Sequence, residues 1–420
     1  MHAATYEAAL AAREAGLERA TRRWSRVAFA SALAFVALLY ANPMYWYPWF
    51  EKLRLSFLAM GACAGAVLVH RLVSGDRLRV GGRGAALLLA YLAFVPASWL
   101  WSIAPTSTAA SAVEGMKMGV VFLGIQNALD TPSRLRRFMG VAAVASLGPA
   151  LGGVWRRATD DHLVEGFRTA WRGLFADPNR LAMSLVAVLP FALHLAMGAR
   201  RPWLRLLGAA AAAAQVTAIV LTHSRSGAVA AALAAALFLL RGRRAGRGVL
   251  AIGALVAGLA LFAPETFWAR SRTIADYEED ASVTGRRHAW LVLGRIVEDR
   301  PLTGVGAGAF LSAWGPYAPL EAGGHRFVAH NILLEIVGEL GVVAFALFAA
   351  FSAWLLWRLW RAGQDPWVGN EARAVFAGLA GYLLCEMVNG YSLSWFLYFL
   401  FACSVAAIRL AGLRAAAEGA

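Results

Sequence analysis

Apolar stretches of about 17–25 residues follow one another from one end of the chain to the other, each long enough to cross roughly 30 Å of hydrocarbon as a helix. About twelve can be delimited: near 27–42, 53–70, 85–101, 108–128, 138–155, 181–198, 203–221, 226–240, 248–264, 330–357, 374–390 and 393–411. Most polar connections between them are short. Two are not: one covers 156–180, the other 265–329. A long connection with ordered-looking sequence is usually functional. In the larger one, Arg286 to Glu298 carries Trp290, Leu293 and Val297 at helical spacing. That pattern fits an interfacial helix lying on the membrane, and fits equally a lid packed on the bundle.

Composition agrees. The chain has 420 residues, 60% of them hydrophobic and only 15% charged, with mean hydropathy +0.56; a soluble domain of this size carries more charge. The expected fold is an all-α polytopic membrane protein in one integral domain, 1–420, with 265–329 as a large outer loop. Residues 1–24 are polar and arginine-bearing, and no small-residue cleavage site follows the first apolar run, so no cleavable signal peptide is expected.

The formal net charge of +15 would suggest a nucleic-acid partner in a soluble protein. Here its distribution excludes that reading. The basic residues are arginines apart from Lys52 and Lys117, and most lie in alternate connections. Arg13, Arg19, Arg22, Arg23 and Arg26 precede the first span; Arg71, Arg77, Arg79 and Arg83 follow the second; Arg134, Arg136 and Arg137 the fourth; Arg200, Arg201 and Arg205 the sixth. Arg241, Arg243, Arg244 and Arg247 follow the eighth, Arg358, Arg361 and Arg373 the tenth, and Arg414 the last. With an even number of spans all fall on one side, the positive-inside pattern, and both termini are cytoplasmic. Cys63, Cys385 and Cys403 lie in apolar runs with no metal or disulfide spacing and read as core residues.

Polar groups at membrane depth face a cavity or a partner, and three outer clusters stand out. Thr222-His223-Ser224-Arg225-Ser226-Gly227 is a tight turn between two spans. Its guanidinium suits bidentate contact with a phosphate, or a salt bridge to Glu335 or Glu339. Asp280-Ala281-Ser282-Val283-Thr284-Gly285-Arg286-Arg287 should open the loop helix, whose free N–H groups attract an anion; Arg286 then binds an oxyanion or touches lipid headgroups. His325-Arg326-Phe327-Val328-Ala329-His330-Asn331 leads into a span. His330 is a general base, titrating near neutrality, or a polar cap.

Gly304-Val305-Gly306-Ala307-Gly308 looks like a phosphate cradle, but no strand precedes it, so a tight turn is expected. Glu114 and Lys117 share a helix face. Asp177-Pro178-Asn179 reads as a helix start. Tyr277-Glu278-Glu279-Asp280 is a solvated acidic run or a divalent-cation site. No other metal constellation is visible.

These motifs, in this order, resemble the O-antigen ligase superfamily: Ser224-Arg225-Ser226-Gly227; Asp280-Ala281-Ser282 with Gly285-Arg286 and Trp290; Arg300-Pro301-Leu302-Thr303-Gly304; Ala329-His330-Asn331; and Gly338-Glu339-Leu340-Gly341. The resemblance implies a GT-C-like bacterial inner-membrane glycosyltransferase with a periplasmic active site. It implies an undecaprenyl-diphosphate-linked O-antigen donor and neither metal nor other cofactor; it does not fix the acceptor, which for a ligase is lipid A–core. Family roles map Arg225 and Arg286 onto the diphosphate and His330 onto the base, with Arg287, His325, Arg326, Glu339 and Asp280 in support. Polymerases and protein O-oligosaccharyltransferases share the superfamily. Arg295 and Gly306 fit the polymerases' Arg, ten residues, Gly spacing, but no convincing second copy exists. Ligase is therefore favoured. A proton-coupled lipid or glycan transporter is the rival class, though no twofold repeat is visible and the polar load sits at one outer face rather than the midplane.

Overall fold

A computed structural model describes residues 2–43, 52–241, 281–319 and 324–418. Among these the regular structure is helical: α1 (His2–Ala41), α2 (Leu55–Ser74), α3 (Gly82–Ala97), α4 (Pro105–Ala128), α5 (Pro132–Ala145), α6 (Leu147–Thr159), α7 (Pro178–Gly198), α8 (Pro202–Leu221), α9 (Arg225–Leu240), α10 (Ala281–Asp299), α11 (Phe310–Tyr317), α12 (Ile332–Ala362), α13 (Gly369–Glu386) and α14 (Trp395–Glu418). All but one of the expected spans fall on these helices; the stretch 248–264 lies outside the described residues. Nine spans are long and apolar enough to cross a membrane among the described residues. The protein is an all-α, multi-pass membrane protein.

The helices start where local chemistry tells them to. Thr131 and Asp177 accept hydrogen bonds from the N–H groups of Arg134 and Arg180, each with a proline at the next position. Ser224 caps α9 through Gly227, and Asn331 caps α12 through Leu333 and Leu334. Two elements are atypical spans. α9 has only sixteen residues, and α13 carries Glu371 in its first turn. Both pack inside the bundle, α13 against α7, α9, α12 and α14, and so need less lipid-facing apolar surface. Small residues let helices approach closely: a Cβ on Gly208 of α8 would stand 2.5 Å from the Ala196 backbone nitrogen of α7. Around α7 and α14 the centre fills with aromatic rings, among them Phe351 against Phe401 at 4.9 Å. All three cysteines are buried and free.

Contacts sort the connections into two ends. At the arginine-rich end, Arg136 meets Glu371 and Arg409 meets the carbonyls of Gln126 and Leu129. At the far end, the carbonyls of Arg172 and Thr303 and the hydroxyl of Ser98 receive bonds from Asn42, Trp101 and Ala307.

The described part of the large loop has its own apolar cluster, separate from the main core: Ala289, Val292, Leu293 and Ile296 of α10 with Phe310 and Trp314 of α11. The expected face of α10 is therefore rotated. Leu293 is buried, but Trp290 and Leu291 are each nearly half exposed, because α10 packs onto Gly338 of α12, where a Cβ would lie 2.3 Å from Leu293 Cδ2. α10 is a lid that presents its other face outward.

A break in α12 anchors that lid. Gly341 has φ 79° inside the helix. Val342 N–H donates to Pro301 O at 2.8 Å, and the Gly338 and Glu339 carbonyls accept from Val305 and Gly306 at 3.0 and 2.8 Å. The helix and the strap 301–306 exchange hydrogen bonds. Gly304, Gly306 and Gly308 all have positive φ, so the strap can lie flat on the break.

Gly341→Ala should destabilise the protein. Its Cβ would lie 2.2 Å from Leu302 O at a left-handed φ, and the backbone angle alone costs about 1–3 kcal/mol. Thermal unfolding in detergent should show a lowered midpoint, whereas Gly294→Ala, with open space around it, should be neutral or stabilising. Equal midpoints for Gly341→Ala and wild type would contradict the anchoring role.

Candidate functional site

The far end gathers residues from four parts of the chain. His330 stands just outside α12, one residue before the cap Asn331, in a left-handed conformation with φ 51°. The expected helix start at His330 is thus displaced to Ile332, which leaves the imidazole free of capping duty. The ring is half-buried. Burial lowers its pKa below the ordinary value, the Arg286 guanidinium pushes it further down, and the Asp177 carboxylate opposes both. The structure thereby brings His330 and Arg286 into one electrostatic neighbourhood.

Arg286 reaches it differently from the expectation. α10 begins at Ala281, so Arg286 sits in the second turn and not at the helix N-terminus. Its guanidinium, rather than free backbone N–H groups, is what it offers an anion. Asp280 and the acidic run before it lie outside the described residues.

Arg225 occupies the first turn of α9, right after the cap Ser224, so its charge adds to the positive end of the helix dipole. The Ser226 carbonyl accepts from Cys385 Sγ at 3.8 Å, in the last turn of α13. Two residues on, Met387 O accepts from Asn331 Nδ2 at 3.0 Å. Arg225 and His330 therefore flank the same end of α13.

Glu335 and Glu339 have other duties. Glu335 accepts from the Ser392 N–H and hydroxyl at 3.2 and 2.6 Å. Glu339 accepts from Gly308 N–H at 2.7 Å and Phe310 N–H at 3.2 Å, fastening the glycine-rich loop and the start of α11. That loop is spoken for: Val305, Gly306, Ala307 and Gly308 all donate to the bundle. It forms the expected turn and no phosphate cradle. Arg287, His325 and Arg326 are exposed at the surface, with the His325 ring tilted against Phe327 at 6.4 Å.

Three residues escaped the sequence reading. Buried Arg168 donates to Thr222 O at 3.0 Å and to Asn179 Oδ1 at 2.9 Å, tying the turn before Arg225 to the first turn of α7. Asp177, expected only as a helix cap, also acts electrostatically on His330. Arg180 lies over the Tyr391 ring at 4.1 Å and hydrogen-bonds its hydroxyl. These two line a cavity of about 340 Å³ with Glu114, Glu335, Glu339 and Trp395. The signal for Arg168 and Arg180 was available: both are arginines of the 156–180 connection on the expected outer side, the argument that singled out Arg225. Among the described residues no group of three or more His, Cys, Asp or Glu could hold a metal ion.

The fold defines a multi-pass membrane protein that gathers arginines and a histidine at one end. Residues 209–349, about a third of the chain, match the family model described as O-Antigen ligase. Over that region the chain is similar to the O-antigen ligase family. The turn at Arg225, α10 and His330 fall inside the match; Arg168, Asp177, Arg180 and Tyr391 fall outside it. No curated protein matches the chain. A solved structure described as "Structural coordination of polymerization and crosslinking by a peptidoglycan synthase complex" aligns with 77% of this chain and 96% of its own, at 16% identity and TM-score 0.40; nothing further rests on that likeness.

The electrostatics can be checked by NMR titration of the His330 ring in micelles. Its pKa should lie below about 6.5. Arg286→Ala should raise it and Asp177→Asn, which keeps the helix cap, should lower it. Shifts of opposite sign, or none, would separate the three groups.

Proposed function

We propose that the protein is an O-antigen ligase of the bacterial inner membrane. It transfers a glycan from an undecaprenyl-diphosphate carrier to a sugar hydroxyl of lipid A–core at the periplasmic face. The observation that carries the reading is His330 in the field of Arg286: a half-buried imidazole whose pKa burial and that guanidinium both lower. A glycosyl diphosphate already has a good leaving group and needs charge stabilisation on departure, while the acceptor hydroxyl needs a base.

His330 takes the proton of the acceptor hydroxyl. The oxygen attacks the anomeric carbon as the bond to the diphosphate oxygen breaks, and the diphosphate departs with the electron pair. Arg225 and Arg286 receive that charge, and each well-placed donor in a dry site contributes a few kcal/mol. Direct displacement inverts the anomeric centre. Asp177 favours the imidazolium once formed, so it eases the proton transfer that Arg286 alone would oppose. The arginine-rich end faces the cytoplasm, by the positive-inside rule.

His330→Ala should lower transfer by about 10²–10⁴-fold in a protein that still inserts and melts normally. Reconstitution with purified lipid-linked glycan and lipid A–core, without other proteins, is the assay. Glycan lengthening on its carrier would indicate a polymerase instead, and movement without bond formation a transporter. Wild-type turnover by folded His330→Ala would remove the base.

Arg225→Lys should also be poorly tolerated, because an ammonium cannot make the planar two-point contact. With two guanidiniums to neutralise the diphosphate, transfer should persist in EDTA. Loss restored by Mg²⁺, and reproduced by Glu279→Gln or Asp280→Asn, would move the chemistry to the acidic run.

A further inference from the structure

At the arginine-rich end, on the opposite side of the bundle from His330, lies a second and larger cavity that the proposed chemistry does not use. It is an open cleft of about 740 Å³ between α1, α5, α7 and α8, within the usual size range of ligand sites. Its inner walls are apolar, with Leu33, Val141, Val144 and Leu195 among them. Its rim is cationic: Arg136, Arg137, Arg200 and Arg201 line it, with Trp203, which is 57% exposed.

The charges are unequally engaged. Arg136 donates to the buried Glu371 carboxylate at 2.8 Å, and His194 in the cleft wall stands 3.7 Å from the same oxygen. That carboxylate is thus used within the wall. The guanidiniums of Arg137, Arg200 and Arg201 have no acceptor among the described residues. Four guanidiniums face one carboxylate, so the rim asks for an anion.

The depth of the cleft narrows the choice. Along α5 the lining runs from Arg136 to Ala145, next to the break at Ser146. That is a rise of roughly 14 Å at 1.5 Å per residue, about half of the roughly 30 Å hydrocarbon core. The cleft therefore extends from one interface to the middle of the membrane. A soluble phosphate would satisfy the rim but leave the apolar walls uncovered, whereas an acyl chain of one leaflet matches their depth. Trp203 at the mouth is the residue type favoured at headgroup level.

We propose that this cleft binds an anionic phospholipid of the leaflet on the arginine-rich side, its phosphate held by Arg137, Arg200 and Arg201 and an acyl chain running between α5 and α7. Head and tail make separable contributions. A Cβ on Gly140 would meet only Leu195 Cδ1, at 3.9 Å, so Gly140→Leu can narrow the tail channel without touching any charge.

The test is native mass spectrometry of the full chain in micelles doped with equal phosphatidylglycerol and phosphatidylethanolamine. Wild type should retain phosphatidylglycerol selectively. Arg137→Gln/Arg200→Gln/Arg201→Gln should reduce that retention on the order of tenfold or more, and Gly140→Leu should reduce it with every arginine in place. A control triple at the same end but outside the cleft lining, Arg23→Gln/Arg26→Gln/Arg77→Gln, should retain lipid like wild type. Equal loss in both triples would reduce the effect to the diffuse attraction of a basic surface and overturn the site. So would equal retention of the two lipids, or undiminished retention by both the cleft triple and Gly140→Leu. Melting temperatures in lipid-free detergent identify any variant that has merely unfolded; for such a variant the single substitutions Arg137→Gln and Arg201→Gln replace the triple.

Discussion

The arrangement of the far end depends on one broken turn. A helix buried in a membrane protein has no water to satisfy a displaced N–H or carbonyl, so an interruption survives only where other groups take over the bonds. At Gly341 the strap 301–306 does that, giving Pro301 O to Val342 N–H and taking the Gly338 and Glu339 carbonyls in return. The exchange fixes the strap, and the strap fixes both flanks of the lid. Arg300, with Trp101 and Thr303, ties it to the end of α3, while Glu339 fastens the start of α11. α10, which carries Arg286, is held against Gly338 one turn away. The position of a guanidinium in the lid is thus set by backbone bonds inside a span.

Charge at that end is partitioned rather than pooled. Arg168 bonds to a carbonyl, an amide and Glu165, so it organises the turn before Arg225. Arg180 is committed to Tyr391. Glu335 and Glu339 are occupied by backbone N–H groups and a serine hydroxyl. Such a division assigns Arg168, Arg180, Glu335 and Glu339 to holding the shape of that end. It also leaves the half-buried imidazole under two opposing influences, the Arg286 guanidinium and the Asp177 carboxylate, with burial the larger effect.

Helix positions were legible in the chain because span length and apolar content are set by the bilayer. The three outer clusters were legible because polar residues at span ends are costly and therefore informative. What could not be read were relations that depend on tertiary packing. The phase of α10 does not follow from the spacing of Trp290, Leu293 and Val297, since the strip facing α12 is chosen by the small surface of Gly338. Arg286 was placed at a helix start because Gly285 resembles one; the turn before it is helical all the same. Asp177 looked complete as a cap, and nothing in its local sequence announces that His330 lies near it. Arg168 and Arg180 were a different kind of miss: their positions carried the signal, but the alternation was argued from the other face.

His330 itself sits at φ 51°, a conformation that disfavours most side chains by about 1–2 kcal/mol. Glycine would adopt the same angle without that penalty. The chain therefore keeps a ring at the one position of the entry to α12 where no side chain at all would fold more easily. Stability alone would favour glycine at this residue, and glycine would remove the ring that the proposed chemistry needs. On the proposed role of that ring, a more robust molecule and a working one part company at position 330.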